Sequence, residues 1–410
     1  MLQIQPPEVF RPFTVQLPVS KSEANRLMII RFLADGSFDA VKTDSDDTVI
    51  MQSLLKRMTG QPRNYEYNAG DAGTVFRFLA ALMAVTPGNR LLTGSLRMLQ
   101  RPCAPLVDAL LSLGADIEYA GETGFPPLKI RGKNLQGGQV AVDASVSSQF
   151  VSALMMIAPC LEKGLEIKLE GEAVSKPYIR LTASLMQQNG VETALLPGLV
   201  RIRPGQYNAV SPYSEADWSA AAFWYALAAL SPGCEITLEG LNPASSQGDS
   251  AAIKLFARLG VESVWNNRGL LLRGGNSGVK ELEIDFSDFP DMVPAMAVAC
   301  AGNGVKAVFT GLSTLRIKES DRIEALVDGL TRLGFRAQSA ASDRLEIFPE
   351  KDEPKTGIVS SRGDHRIAMA FAMLSVKTGK VLIEQPEVVS KSYPAFTEHL
   401  KLAGFSLKEI

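Results

Sequence analysis

Apolar residues recur at helical spacing in six separate segments of the chain. Each run reaches a glycine and then passes into a strand-like stretch. The segments are IMQSLLKRMTG (50–60), LVDALLSLGADIE (106–118), LTASLMQQNGVET (181–193), AIKLFARLGVESV (252–264), ALVDGLTRLGFRAQ (325–338) and FTEHLKLAGFSL (396–407). Their glycines, Gly60, Gly114, Gly190, Gly260, Gly334 and Gly404, stand 54, 76, 70, 74 and 70 residues apart. Glycine is favoured there because the left-handed conformation that ends many helices costs it little. One such glycine carries little weight, but six at near-constant spacing predict a repeated supersecondary unit. Alternating segments between them, LEIKLEG (165–171), CEITLEG (234–240) and KAVFTGL (306–312), predict strands. The pattern therefore predicts an α/β protein of six units, each with several strands and at least one further helix. Six units divide naturally into two domains of three, and the Pro-, Gly-, Tyr- and Ser-rich stretch Pro204–Asp217 is the expected crossing point.

The longest apolar stretches, Phe150–Leu161 and Ala220–Leu230, fall short of the roughly 20 residues a membrane span needs. The first residues, MLQIQPPEVFRPF, lack the basic start and apolar core of a secretory signal, so a cytoplasmic protein without membrane association is expected. Composition fits a folded chain: 46% of its 410 residues are hydrophobic, and that length exceeds what one core usually serves. Basic and acidic side chains number 42 and 44, and a net charge of −2 argues against a general nucleic-acid binder. With only two histidines, His365 and His399, and no C-x-x-C pair, no metal site is expected. Cys103, Cys160, Cys234 and Cys300 read as buried free thiols in a reducing compartment.

Local charge changes this neutral picture. Several helix starts combine small or hydroxyl residues with a cation: SKSEANR (20–26), DAGTVFR (71–77) and SKPY (175–178), while SVSSQF (145–150) has the hydroxyls without the cation. Free N–H groups at a helix start favour anions, and Lys21 and Arg26 would strengthen such a site. A plain serine cap with a solvated basic turn explains the first motif as well. Arg97 and Arg101 sit four apart before Pro102, which fits either an anion clamp or a solvated loop. In the second half, Asp285, Asp288 and Asp291 precede an apolar helix, and one of them could be a general base while the others cap. LRIKESDR (315–322) reads alone as a solvated helix start, and GDHR (363–366) opens the helix IAMAFAM. The ligand implied by these cations is small and strongly anionic, since the guanidinium fork suits phosphate and carboxylate alike.

Taken in order, SKSEANR, SDDT (45–48), DAGTVFR, RMLQRP (97–102), SVSSQF, SKPYI, SSQGD (245–249), FPD (289–291), LRIKESDR, GDHRIAM and the lysine of KSYP (391–394) resemble the 3-phosphoshikimate 1-carboxyvinyltransferase (EPSP synthase) family. The resemblance implies two similar domains, each of three βαβαββ-type units, at 20–214 and at 1–19 plus 215–410, with the active site in the interdomain cleft. It implies transfer of the enolpyruvyl group of phosphoenolpyruvate to the 5-hydroxyl of shikimate 3-phosphate, with no cofactor. A monomer is expected, and because the motifs are split between both halves, its two domains are expected to close over these anionic substrates. By the same resemblance Asp291 would accept a proton, Glu319 would donate one, and Lys21 would lie close to the transferred proton. Arg101, Arg322, Arg366 and Lys391 look like the clamp on phosphoenolpyruvate, with Gly73 and Gln149 in the same site. Ser22, Arg26, Ser147, Ser148, Gln149, Ser175 and Lys318 look like ligands of the shikimate phosphate, with Tyr178 nearby.

Three positions depart from the family pattern: Val19 replaces a glycine, Asp71 an asparagine and Thr314 a common asparagine. Asp71 adds a negative charge near an expected anion site. The related UDP-N-acetylglucosamine enolpyruvyl transferases carry Lys-Asn at the first motif, where this chain has Lys21-Ser22. A non-catalytic two-domain anion-binding protein is the other alternative, and Asp291, Glu319 and Lys21 occurring together favour an enzyme.

Overall fold

The computed structural model describes every residue of the chain except 61–63, 173, 209–213 and 352–353. Part of the expected crossing stretch thus lies outside the described residues. Among the described residues there are twelve α-helices. In the first half they are α1 Lys21–Ala34, α2 Asp46–Gly60, α3 Gly73–Val85, α4 Ala104–Ser112, α5 Ser148–Ile157 and α6 Lys176–Gln188. In the second half they are α7 Trp218–Leu230, α8 Ala252–Ala257, α9 Val293–Gly302, α10 Arg322–Arg332, α11 His365–Thr378 and α12 Phe396–Leu402. The six glycine-ended segments are the even-numbered helices. Five of the six glycines adopt positive φ, between 84° and 92°; Gly60 does not and is instead the last residue of α2.

Five four-stranded sheets share one wiring. In one, Gly138–Asp143 runs parallel to Leu165–Glu170, with α5 as the crossover; Leu199–Ile202 then pairs antiparallel, and Thr193–Leu196 closes the edge. The sheets that start at Asn64–Asn68 and Glu281–Asp285 repeat this order. The remaining two are completed by the N-terminal strands. Phe13–Gln16 runs parallel to Glu235–Glu239, and Leu2–Gln5 lies between Val381–Glu384 and Ser406–Glu409. The α1–α2 pair has no sheet of its own among the described residues.

The chain forms two compact units, residues 1–20, 44–46 and 215–410 in one, and 21–43 and 47–214 in the other. In the first unit α7, α9 and α11 pack on one another, and every residue of α7 and α9 is buried. A helix apolar on all sides can only be a core helix. The other unit is built the same way around α1, α3 and α5. The even helices bury one face only: α10 buries Ile323, Leu326 and Leu330, and Gly329 lets it approach the ring of Phe371. Buried helices expose no side to solvent, so their polar chemistry is confined to their ends. No helix among the described residues is long and apolar enough to cross a membrane. Cys103, Cys234 and Cys300 are buried as expected, whereas Cys160, closing a surface turn after α5, is exposed.

Candidate functional site

In the unit built on α1, α3 and α5, the polar cluster gathers at helix starts. Lys21, the first residue of α1, pairs with Asp47 at 3.0 Å. One turn later Arg26 is almost completely buried; it donates to Thr182 Oγ1 (2.7 Å), the Ser22 carbonyl (2.9 Å) and Ser152 Oγ (3.2 Å). Its guanidinium lies over the rings of Phe78 and Tyr178. Burial lowers its pKa to about 10, with Tyr178 and Glu23 pulling the other way, so it stays charged at neutral pH. Arg26 and Tyr178 are thus packed on one another, and the hydroxyl-bearing Thr182 and Ser152 hold the cation in place.

Gln149 joins two helix starts. Its Oε1 accepts from Arg77 Nη1 at 2.6 Å and its Nε2 donates to Thr74 Oγ1 at 3.0 Å, linking α5 to α3. Ser147 caps α5 by accepting from the Gln149 N–H, and Ser148 is the first helical residue, buried. Ser175 precedes α6 in a left-handed conformation, φ +54°, which costs a residue other than glycine about 1–3 kcal/mol. Arg101 is buried and donates to the Asp71 carbonyl at 3.2 Å. Its guanidinium lies against Gly73: a Cβ there would come within 2.7 Å of Nη2. The Asp71 carboxylate, the suspect charge, is exposed and accepts from Ser95 Oγ, while its backbone carbonyl accepts from Arg101.

The other unit holds a denser cluster, centred on Arg322 at the start of α10. Its side chain is 1% exposed and meets three carboxylates: Asp291 (2.8 Å), Glu319 (2.9 Å) and Asp364 (2.8 Å). Burial works against the charge on Arg322, but Asp364, Glu319 and Asp291 overcome it and raise its pKa. Asp364 caps α11 by accepting from the Arg366 N–H and also accepts from Ser320 Oγ. Asp291 sits in the turn before α9 and takes Arg322 on Oδ1 and Arg366 on Oδ2 (3.0 Å), with Lys318 at 3.8 Å. Burial alone would raise the Asp291 pKa; Arg366, Lys318 and Arg322 reverse that and hold it well below the usual carboxylate range. Lys391 Nζ stands 3.9 Å from Glu319 Oε1. Four cations thus face the three carboxylates of this cluster. Of the neighbouring aspartates, Asp285 closes a turn by accepting from the N–H of Ser287.

Arg77 and Asp364 lie in the DAGTVFR and GDHR motifs read from the sequence, though without a role of their own, and Asp47 and Asp249 lie in SDDT and SSQGD. Ser152 and Thr182 were not singled out and are ordinary helix residues in sequence. Asp249 is buried, accepts from Ser219 Oγ on one oxygen, and has no hydrogen-bond partner on the other. Burial first, then the charge of Asp291, pushes its pKa up to about 7, while Arg366 pulls it down. Of the departures, Val19 donates its N–H to Asp44 at 2.9 Å, and Thr314 is buried.

Comparison with known proteins agrees with this picture. The sequence matches the family described as EPSP synthase (3-phosphoshikimate 1-carboxyvinyltransferase) over residues 37–400. A 3-phosphoshikimate 1-carboxyvinyltransferase of Bacteroides fragilis is 42% identical over 397 residues, 96% of each chain. One from Methanospirillum hungatei is 34% identical over 95% of each chain. The fold matches that of EPSP synthase from Acinetobacter baumannii with a TM-score of 0.79, at 22% identity, covering 100% of this chain and 99% of that one. With a family match over most of its length and relatives well above 30% identity, the chain belongs to the EPSP synthase family.

Proposed function

We propose that this protein transfers the carboxyvinyl group of phosphoenolpyruvate to the 5-hydroxyl of shikimate 3-phosphate and releases inorganic phosphate. The observation that carries the reading is the pair Asp291 and Glu319, two carboxylates held by one buried guanidinium, Arg322. The reaction needs a proton added to the methylene carbon of phosphoenolpyruvate while the hydroxyl oxygen attacks the adjacent carbon. The resulting tetrahedral adduct then loses phosphate and a methyl proton, restoring the double bond. Asp291 takes the hydroxyl proton and Glu319 supplies the carbon-bound one, with Lys21 close to the transferred proton. Arg101, Arg322, Arg366 and Lys391 bind the carboxylate and phosphate of phosphoenolpyruvate, together with Gly73 and Gln149. Ser22, Arg26, Ser147, Ser148, Gln149, Ser175, Tyr178 and Lys318 serve shikimate 3-phosphate. Catalysis is then positioning and preorganised charge.

The low pKa of Asp291 fits this role through competition. Arg366 and Lys318 both lie against Asp291, at 3.0 and 3.8 Å. A phosphate or carboxylate that draws those cations away raises the proton affinity of Asp291 as the substrates arrive. The reading includes a cytoplasmic monomer; the four free cysteines support a reducing compartment.

A phosphate-release assay with phosphoenolpyruvate and shikimate 3-phosphate should show turnover that depends on both. Turnover with UDP-N-acetylglucosamine in place of shikimate 3-phosphate, and none with the latter, would overturn the reading. Gly73→Ala checks the clamp separately. The added methyl meets the Arg101 guanidinium at under 3 Å, and that side chain is buried and tied to the Asp71 carbonyl. Displacing it should raise KM for phosphoenolpyruvate about tenfold, the loss of roughly one charge-assisted hydrogen bond. An unchanged KM would remove Arg101 from the clamp.

A further inference from the structure

The turn that carries Lys391, Pro386–Lys391, leads within two residues to Tyr393, whose ring is fully buried. The Tyr393 N–H donates to the Val389 carbonyl at 2.8 Å, so the aromatic residue is tied directly to that turn. Its hydroxyl joins two partners from other helices. Trp224 Nε1, in the buried helix α7, lies 3.1 Å from the phenol oxygen, and His399 Nδ1, in α12, lies 2.8 Å from it. The ring also packs edge-on against Phe396 and His399.

An indole N–H can only donate, so Trp224 gives to the phenol oxygen, and His399 Nδ1 is the partner that can take the phenol's single proton, as it does in the tautomer with its own proton on Nε2. Nδ1 accepts only when the imidazole is neutral, with its proton on Nε2. A protonated His399 would donate instead. The phenol oxygen would then accept twice, and its own proton would be left buried without an acceptor, which is costly. We propose that Trp224, Tyr393 and His399 form a proton-gated positioning relay for Lys391, clamping its turn while His399 is neutral and loosening it when His399 is charged.

Burial of His399 pulls in the same direction, holding its pKa below the usual 6.5, with neighbouring Glu398 pulling the other way. Besides Glu398, the charged group acting on the relay is Asp217, whose field bears on Tyr393. Asp217 Oδ1 is occupied in capping α7, where it accepts from Ser219 and Ala220 N–H groups. A phenylalanine would fill the space of Tyr393 equally well, so the hydroxyl serves the relay and not the packing. The inference rests on the reading of Lys391 as a phosphoenolpyruvate ligand.

The test compares KM for phosphoenolpyruvate in the full-length wild type, Tyr393→Phe and His399→Asn at about pH 7.5 and at a lower pH about one unit below the His399 midpoint read by NMR titration, since that midpoint lies below the ordinary imidazole value. Asparagine offers an oxygen near the Nδ1 position that accepts but never charges. His399→Asn should match wild type at the higher pH and hold a KM about fivefold lower than wild type at the lower one, the worth of one buried hydrogen bond. Tyr393→Phe should raise KM about fivefold at the higher pH with kcat within about twofold. Variants that track wild type at both pH values overturn the relay. If wild type shows no turnover, the proposed function fails. The relay is still decided by NMR titration of the imidazoles, simple in a chain with two histidines. Tyr393→Phe should move the His399 pKa up toward 6.5, and an unmoved His399 overturns the relay whatever the assay shows.

Discussion

Replacing Asp291 by asparagine should lower kcat by about two to four orders of magnitude, the usual worth of a positioned proton acceptor, while substrate binding persists. The substitution keeps shape and two acceptor lone pairs but removes the charge and the basicity. Arg322 keeps Glu319 and Asp364 as partners, so the buried guanidinium is not stranded and the fold should survive. Arg366 and Lys318, freed from a carboxylate, remain available to substrate anions, so affinity for shikimate 3-phosphate should hold or tighten. Pre-steady-state phosphate release together with calorimetric binding separates the two effects. Turnover within tenfold of wild type would remove Asp291 as the acceptor.

What the sequence made legible follows from periodicity. Six amphipathic helices with terminal glycines could be read because each is a local pattern, and so could the further helix expected in each unit, which the structure places before each of them. The strand exchange could not be read. Leu2–Gln5 completes a sheet with strands near the other end of the chain, a pairing with no local signature. The candidate residues were legible as a set because they lie at helix starts, where hydroxyls and cations interrupt apolar runs. Their partners were not. LRIKESDR looks like a solvated turn, since five charges in seven residues usually face water. In the fold it splits. Arg316 pairs outward with Asp321, which caps α10, while Lys318, Glu319 and Arg322 turn inward toward Asp291. Asp249 shows the same limit: nothing in SSQGD says that its carboxyl is sealed from water beside Asp291 and Arg366.

The same inward turn makes Arg322→Met the most damaging substitution for stability. Methionine matches the aliphatic stem but leaves Asp291, Glu319 and Asp364 in a buried pocket with one cation fewer. Breaking a buried ion pair from one side costs about 3–5 kcal/mol, because the remaining charge is desolvated without compensation. The pH dependence gives the loss a signature. In wild type Asp291 has a folded pKa below its ordinary 3.8, so its contribution is full above that value and is lost as pH falls through the folded pKa. In Arg322→Met Asp291 loses one of the cations that hold its folded pKa down, so that pKa rises, and protonation relieves the strain of unpaired charge. The gap in urea midpoint between variant and wild type should therefore be widest near neutral pH and narrow below about pH 4. Arg322→Lys should recover only part of the stability, since a single ammonium cannot reach three carboxylates that the planar guanidinium engages through Nε, Nη1 and Nη2. A variant that unfolds at the wild-type midpoint at neutral pH would show that Arg322 is not the hub of this cluster.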